Sequence, residues 1–417
     1  RLPPQRRLAG RLGFDLTTIT RAYEIAQQRG HLVARGRAGS FVREGGGTSV
    51  PAPGQVDTGM NTPPMAPGGL LQQAFASGLQ AAAAGAGMAD FLYQSAGGSA
   101  EARRCGALLL ERMGLRSDPG QIVVTSGGQN GLHAIMNAVA RPGDRIACGR
   151  FVYPGFRAIA QRMGVELVPL AELTAAALRD TCADRPLRAL YVVPTNDNPT
   201  TATVPPPERE LIAEVVLEER IQLIEDDAYG LLDPQPLAPI SRFVPGQAWY
   251  VLSTSKTVSP ALRVAFVRAP GVGQALQLAA DVHETAVMAP PLNAAMVSAW
   301  LADGTFDRLI SATRGEAAWR LRLAQGVLGG EDLSCHPNGY HLWLRLPSGV
   351  QANDVSQTLA AAGIGTVPSG RFAVGSSEEQ ALRISLGGVA DKPTLEGALR
   401  TLQGHLSAAL HRWDAVI

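Results

Sequence analysis

The chain has 417 residues, 46% of them hydrophobic and 18% charged, which is enough for two or three domains around a large core. A formal net charge of +1 excludes no class of partner by itself. Cys105, Cys148, Cys182 and Cys335 stand apart with no C-x-x-C pair, so neither a disulfide framework nor a zinc site is indicated. No apolar run reaches transmembrane length and no stretch reads as a signal peptide, so the expected compartment is the cytoplasm.

Charge is unevenly spread. Nine arginines between Arg1 and Arg43 are opposed in that stretch only by Asp15 and Glu24, the electrostatic footprint of nucleic-acid binding. Pro3 or Pro4 starts a helix with Leu8 and Leu12 on one face, and Gly13 ends it. Asp15 caps a second helix running to about Arg29, closed by Gly30. His31–Arg35 and Ser40–Arg43 then read as two strands of a hairpin around Gly36-Arg37-Ala38-Gly39. The order is that of a helix-turn-helix followed by a wing.

Leu2-Pro3-Pro4-x-Arg6-x-Leu8-Ala9, then Thr17-Thr18-x-x-Arg21-Ala22-Tyr23, Gly30-x-Leu32 and Gly36-Arg37-x-Gly39-Ser40-Phe41-Val42 resemble the winged-helix domain of the GntR superfamily. The resemblance implies that Thr17, Thr18, Thr20 and Arg21 lie on the helix that enters the major groove. Arg6 and the wing residues Arg35, Arg37 and Ser40 would meet phosphates. The family's first helix, normally ahead of the Leu-Pro pair, is missing; the chain starts at Arg1 and is expected to be a fragment with a truncated winged helix. Leu16 stands where the family often has a basic residue.

Residues 44–68 are rich in glycine and proline and read as a linker between a domain at 1–43 and another at 69–417. From about residue 69, alanine-rich helical patterns alternate with short apolar runs at Gln121–Thr125, Arg145–Ala147, Ala189–Val193, Ile221–Ile224 and Ala248–Leu252. That alternation predicts an α/β fold with an open, mostly parallel sheet whose ligand site lies at the strands' carboxyl ends.

Those ends carry chemistry. Thr125-Ser126-Gly127-Gly128-Gln129-Asn130-Gly131 opens a helix and offers free N–H groups to a phosphate. Tyr153 follows the second run as a ring stacker, and Asn198 follows the third as an amide donor. Glu225-Asp226-Asp227-Ala228-Tyr229 follows the fourth with acid and phenol. The fifth ends in Ser253-Thr254-Ser255-Lys256, with Arg263 seven residues beyond the lysine. Lys256 and Lys392 are the only lysines, and Lys392, before Pro393, reads as an exposed helix start. A lysine at a buried strand end can shed its proton and form a Schiff base, as an arginine cannot.

This ordered set resembles the fold type I, class I/II aminotransferases, which use pyridoxal 5′-phosphate (PLP). The resemblance implies that Lys256 holds the cofactor and that Asp226, rather than Asp227, pairs with its pyridinium nitrogen. Asn198 and Tyr229 would bind the ring hydroxyl, with Tyr153 stacked on the ring. Gly128, Gln129, Ser253, Ser255 and Arg263 would hold the phosphate. Tyr93 would reach the phosphate of a neighbouring subunit in a homodimer, and Arg383 would clamp a substrate carboxylate. Asn198-Pro199-Thr200-Thr201 departs from the usual N-P-T-G. The expected architecture is a large lobe at about 97–298 and a smaller α+β lobe from 69–96 and 299–417. A winged helix ahead of such a domain resembles the MocR-type subfamily of GntR regulators. The resemblance implies a transcription regulator that binds DNA and senses an amino acid or amine. A working aminotransferase, or a DNA-binding protein using the large domain as a dimerisation scaffold, are the alternatives.

Overall fold

The computed structural model describes residues 3–28, 32–34, 40–42, 61–85 and 91–414. They divide between two compact units, 1–55 and 56–417. In the first unit α1 (Gln5–Leu12) ends at Gly13, whose φ of 71° is open to glycine, and α2 (Leu16–Gln28) follows. Asp15 caps α2 by accepting from the Thr18 N–H (2.8 Å) and hydroxyl (2.7 Å). Strands β1 (Leu32–Ala34) and β2 (Ser40–Val42) pair antiparallel. The small core is Ala9, Ile19 and Tyr23 with Leu8 against it. Leu12, expected beside Leu8, is 55% exposed, because burial on α1 follows Ala9 instead. Arg6, Thr17, Thr18 and Arg21 are exposed. Thr20 is half-buried, its hydroxyl within reach of Gln5 Oε1 (3.0 Å) and the Leu16 carbonyl (2.9 Å), and so is already engaged. Arg35, Arg37 and linker residues 44–60 lie outside the described residues.

The second unit begins its regular structure with α3 (Leu70–Gly85) and α4 (Ala100–Arg112). Then come β3 (Ile122–Thr125), α5 (Gly128–Val139), β4 (Arg145–Cys148), α6 (Pro154–Arg162) and β5 (Glu166–Pro169). The chain continues through α7 (Ala175–Asp184), β6 (Ala189–Val192), α8 (Pro206–Glu218), β7 (Gln222–Asp227), β8 (Ala248–Ser253) and β9 (Ala265–Arg268). These strands form one sheet in the order β3-β9-β8-β7-β6-β4-β5, in which only β9 runs antiparallel to its neighbours. One face packs against α5, α6 and α9 (Val272–Ala286). The other buries α7 and α8 at one end, and α4 with α10 (Pro291–Ala302) at the other.

Helix α11 (Thr305–Leu328) runs from this sheet into a second core. Its Phe306, Leu309 and Ile310 belong to the large-sheet core, whereas Ala317, Leu321 and Ala324 belong to the small one. The small lobe is an antiparallel sheet of β10 (Leu333–Cys335), β11 (His341–Arg345), β12 (Val367–Pro368) and β13 (Ala381–Ser385), in the order β10-β11-β13-β12. It is backed by α12 (Ala352–Ala361) and α13 (Lys392–Asp414), and Lys392 is exposed at the start of α13.

Two expected boundaries move. Residues 69–85 do not join the small lobe: Ala74 of α3 lies in the large-sheet core and accepts from Trp300 Nε1 (3.2 Å). Gly78 makes that approach possible, since a Cβ there would meet Trp300 Nε1 at 2.5 Å. Residues 61–65, assigned to the linker by composition, are part of the second unit. Asn61, Pro63 and Pro64 are buried, and Met65 N donates to the Gly388 carbonyl (3.3 Å) while Gly388 N donates to that of Pro63 (3.3 Å). Proline suits this extended edge because it needs no partner for an N–H it lacks.

Candidate cofactor and effector site

Strand parity places the acid. Side chains alternate across a sheet, so Asp226 faces one way from β7 while Glu225 and Asp227 face the other. Glu225 accepts the Ile240 (3.0 Å) and Ser241 (2.7 Å) N–H groups. Asp227 accepts the Tyr250 hydroxyl (2.6 Å) and the Gly230 N–H (2.6 Å). Both are committed to holding neighbouring turns. Asp226 lies on the face of Tyr191 and Val251, and its Oδ2 accepts the Tyr191 hydroxyl (2.9 Å). Burial lifts its carboxyl to about 7 against the pull of that hydrogen bond and of Lys256.

Lys256 stands just beyond β8. Burial and the neighbouring Arg383 lower its ammonium to about 8, with Asp226 pulling the other way. Its Nζ donates to the Asn61 carbonyl (2.6 Å), and its own carbonyl accepts the Tyr340 hydroxyl (2.9 Å). An amine with a proton affinity this close to neutrality is a usable nucleophile.

Next to it is an anion cradle. The N-terminus of α5 is capped by Gly127, with φ of 84° and no side-chain cap. The Arg263 guanidinium lies against Gly127, where a Cβ would meet Cζ at 2.9 Å, and it donates to the Ser126 carbonyl (2.7 Å). Arg263 is itself in the left-handed region, at φ 50°. Gly128 faces Ser253, whose hydroxyl lies 2.8 Å from that of Ser255. Gln129 donates to the Gly155 carbonyl (3.1 Å) and leaves its buried Oε1 without a protein partner. Helix N–H groups, two hydroxyls and a guanidinium around one point suit a phosphate, and the orphaned amide oxygen beside Tyr153 suits an added polar group. Tyr153 caps α6, and Asp226 and Arg263 both act on its phenol, which burial pushes up.

The opposite wall comes from Asn198, Tyr229 and Arg383. Arg383, buried on β13, donates to Asn198 Oδ1 (3.0 Å) and lies over the Phe372 ring, 5.4 Å from its centroid. Arg209, 1% exposed, braces the loop carrying Asn198 through the Pro194 carbonyl (2.9 Å) and the Thr195 hydroxyl (2.7 Å). Tyr229 is buried and accepts from Asn61 Nδ2 (2.6 Å). The structure therefore groups Lys256, Asp226, Tyr153, Asn198, Tyr229 and Arg383, with Gly128, Gln129, Ser253, Ser255 and Arg263 alongside. Tyr93 is apart, 83% exposed. Sequence reasoning passed over Tyr191, Asn61 and His341. For Tyr191 the register was the available signal: it pairs with Ile224, which shares a face with Asp226.

The aminotransferase class I and II family model matches residues 57–402. The chain is 28% identical over 400 residues to YdeF of Bacillus subtilis, an uncharacterised HTH-type transcriptional regulator, covering 93% of this chain and 85% of that protein. It is 28% identical to the HTH-type transcriptional regulator TauR of Rhodobacter capsulatus (87% and 83% covered), and 29% identical to a 2-aminoadipate transaminase of Thermus thermophilus (70% and 77%). Among solved structures, the Thermus thermophilus α-aminoadipate aminotransferase LysN, crystallised with N-(5′-phosphopyridoxyl)-L-leucine, superposes with a TM-score of 0.77 at 23% identity. The superposition covers 86% of this chain and 93% of that one, and the fold is shared. The cofactor of this chain is PLP, and the donor set described above fits it. On this match, the chain belongs to the aminotransferase class I and II family.

Proposed function

We propose that the chain is a PLP-dependent transcription regulator that binds DNA through residues 1–43 and senses an amino acid or amine at Lys256. The observation that carries this is the grouping of a near-neutral lysine amine, Asp226 and Arg383 in one buried site. They occur in a chain whose first stretch holds nine arginines. When bound, PLP supplies an aldehyde that reacts with amines and a ring that withdraws electrons.

The protein's own groups divide the remaining work. Lys256 offers its free amine and takes up a proton when an incoming amine displaces it. Asp226, held by Tyr191, keeps a proton on the ring nitrogen. Gly128, Gln129, Ser253, Ser255 and Arg263 bind the phosphate, while Tyr153 covers the ring. Asn198 and Tyr229 address the ring hydroxyl. Arg383 receives a carboxylate through its two-pronged guanidinium, which selects α-amino acids over plain amines. Binding changes DNA affinity only to the extent that it favours one arrangement of the two lobes.

A homodimer fits this reading. Tyr93 is flanked by Phe91 and Leu92, 58% and 65% exposed, an apolar patch suited to a second copy in which Tyr93 meets the neighbour's phosphate. Two winged helices then engage paired half-sites, with steep salt dependence from the arginines. The test is absorbance with candidate amines, run beside DNA footprinting and a keto-product assay. An amine that shifts both chromophore and footprint without turnover supports the regulator. Efficient product formation with an unchanged footprint makes the protein an aminotransferase.

A further inference from the structure

Asn61 is 4% exposed and sits where composition predicts a linker. Its amide has an assigned orientation. His341 is buried, and its Nε2 lies 3.0 Å from the Asp197 carbonyl, which only accepts, so Nε2 carries the hydrogen. Nδ1 of the same ring therefore has a free lone pair, and the Asn61 atom facing it at 3.4 Å must be the NH2. The second amide hydrogen goes to the Tyr229 oxygen (2.6 Å), and Oδ1 accepts the Ser385 hydroxyl (3.2 Å). Flipping the amide would set oxygen against the imidazole lone pair. Burial and Arg383 hold His341 neutral, its imidazolium pushed down to about 3, which keeps this pattern fixed across ordinary pH.

An amide anchored to Tyr229, His341 and Ser385 fixes the peptide that carries it. The bonds of Met65 and Gly388 hold the segment from its far side. The Asn61 carbonyl then points at Lys256 Nζ, 2.6 Å away. The charged and titratable groups acting on that ammonium or on its acceptor are Asp226 on β7, Arg383 and His341 on the small sheet, and Tyr229, which holds the Asn61 amide. Arg383 opposes the charge, so a neutral, well-aimed acceptor matters.

We propose that Asn61 is a positioning residue of the site: its locked amide aims its main-chain carbonyl to receive the Lys256 ammonium whenever the lysine is not joined to cofactor. A lysine displaced by an incoming amine thus has a prepared resting place and does not swing back against Arg383. The proposal rests on the reading above only in taking Lys256 as the cofactor lysine. A chromophore assay tests that reading separately.

Because Lys256 and Lys392 are the only lysines, an amine-acylating reagent with peptide mass spectrometry reads each one individually. The experiment uses the full chain freed of cofactor, follows Lys256 labelling against pH, and takes exposed Lys392 as reference. In Asn61→Ala the released carbonyl loses its aim and the ammonium is less favoured. The midpoint should fall by about half a unit, making Lys256 about threefold more reactive near pH 7. In the nearly isosteric Asn61→Asp a carboxylate replaces the amide, so the midpoint should rise and labelling should slow. A midpoint unchanged in either variant, or moved the same way in both, overturns the proposal, since loosened packing alone does not produce opposite signs.

Discussion

Tyr191 donates its phenol to Asp226 across 2.9 Å in the buried centre of the sheet, and its ring stacks on Phe156 with centroids 3.7 Å apart and planes 8° from parallel. The stacking fixes the ring, and the ring fixes the hydroxyl. The bond favours the ionised carboxylate against burial, and an ionised Asp226 is what a protonated ring nitrogen requires. Tyr191→Phe should therefore keep the fold and weaken PLP binding by roughly 1.5–3 kcal/mol, the range for a hydrogen bond to a charged group. Cofactor titration by absorbance measures this, and an unchanged affinity would remove Tyr191 from the site.

Asp226 and Asp227 are adjacent, and their substitutions should separate cleanly. Asp226→Ala removes the partner of the ring nitrogen, so PLP affinity should collapse, while relief of the buried carboxylate and loss of a partner for the Tyr191 hydroxyl offset each other and thermal stability changes little. The relief follows from a raised carboxyl: an ionised, buried Asp226 costs stability as pH climbs from its unfolded value toward about 7. Asp227→Ala strands the Tyr250 hydroxyl and the Gly230 N–H and should cost roughly 1–3 kcal/mol of stability, with a smaller effect on PLP. The reverse pattern would move the cofactor acid by one residue.

The contrast between these two acids shows what a sequence makes legible. The runs that became β3, β4, β6, β7 and β8 are apolar and end in turn-forming or polar residues, so their carboxyl ends could be read as one site. The short edge strand β5 is half-exposed and carries no such run. Tyr191 was hidden because, inside an apolar strand, a tyrosine reads as core until the register with Ile224 is known. Asn61 was hidden by its prolines, since a pinned extended segment and a linker share one composition. The lobe boundary was unreadable because α11 passes through both cores without a break, carrying Ile310 in one and Ala317 in the other.

Lys256 should show its environment directly. With its ammonium lowered to about 8, the cofactor-free protein should expose a growing fraction of free amine between pH 7 and 9, where an unburied lysine remains charged. The rate of colour formation on adding PLP should rise through that window and level off above it. Borohydride reduction should then fix the cofactor to the peptide containing Lys256. Lys256→Arg should retain the fold without that attachment. Label on Lys392 would reassign the site.

Arg383 should decide which amines are felt. Its side chain is buried, bound to Asn198 and seated on Phe372, so it is aimed before any ligand arrives. Arg383→Ala should leave PLP attachment at Lys256 largely intact, because the phosphate is held by other residues. It should weaken the chromophore response to α-amino acids by about 10- to 100-fold, consistent with loss of a bidentate charged pair. Amines without a carboxylate should be affected far less, since they never use the guanidinium. Arg383→Lys should restore little, as an ammonium cannot reproduce the two parallel bonds. In footprints on operator DNA the same substitution should abolish the amino-acid effect and leave ligand-free binding unchanged. Equal losses for amino acids and simple amines would show instead that Arg383 supports Asn198 and the pocket wall rather than the ligand.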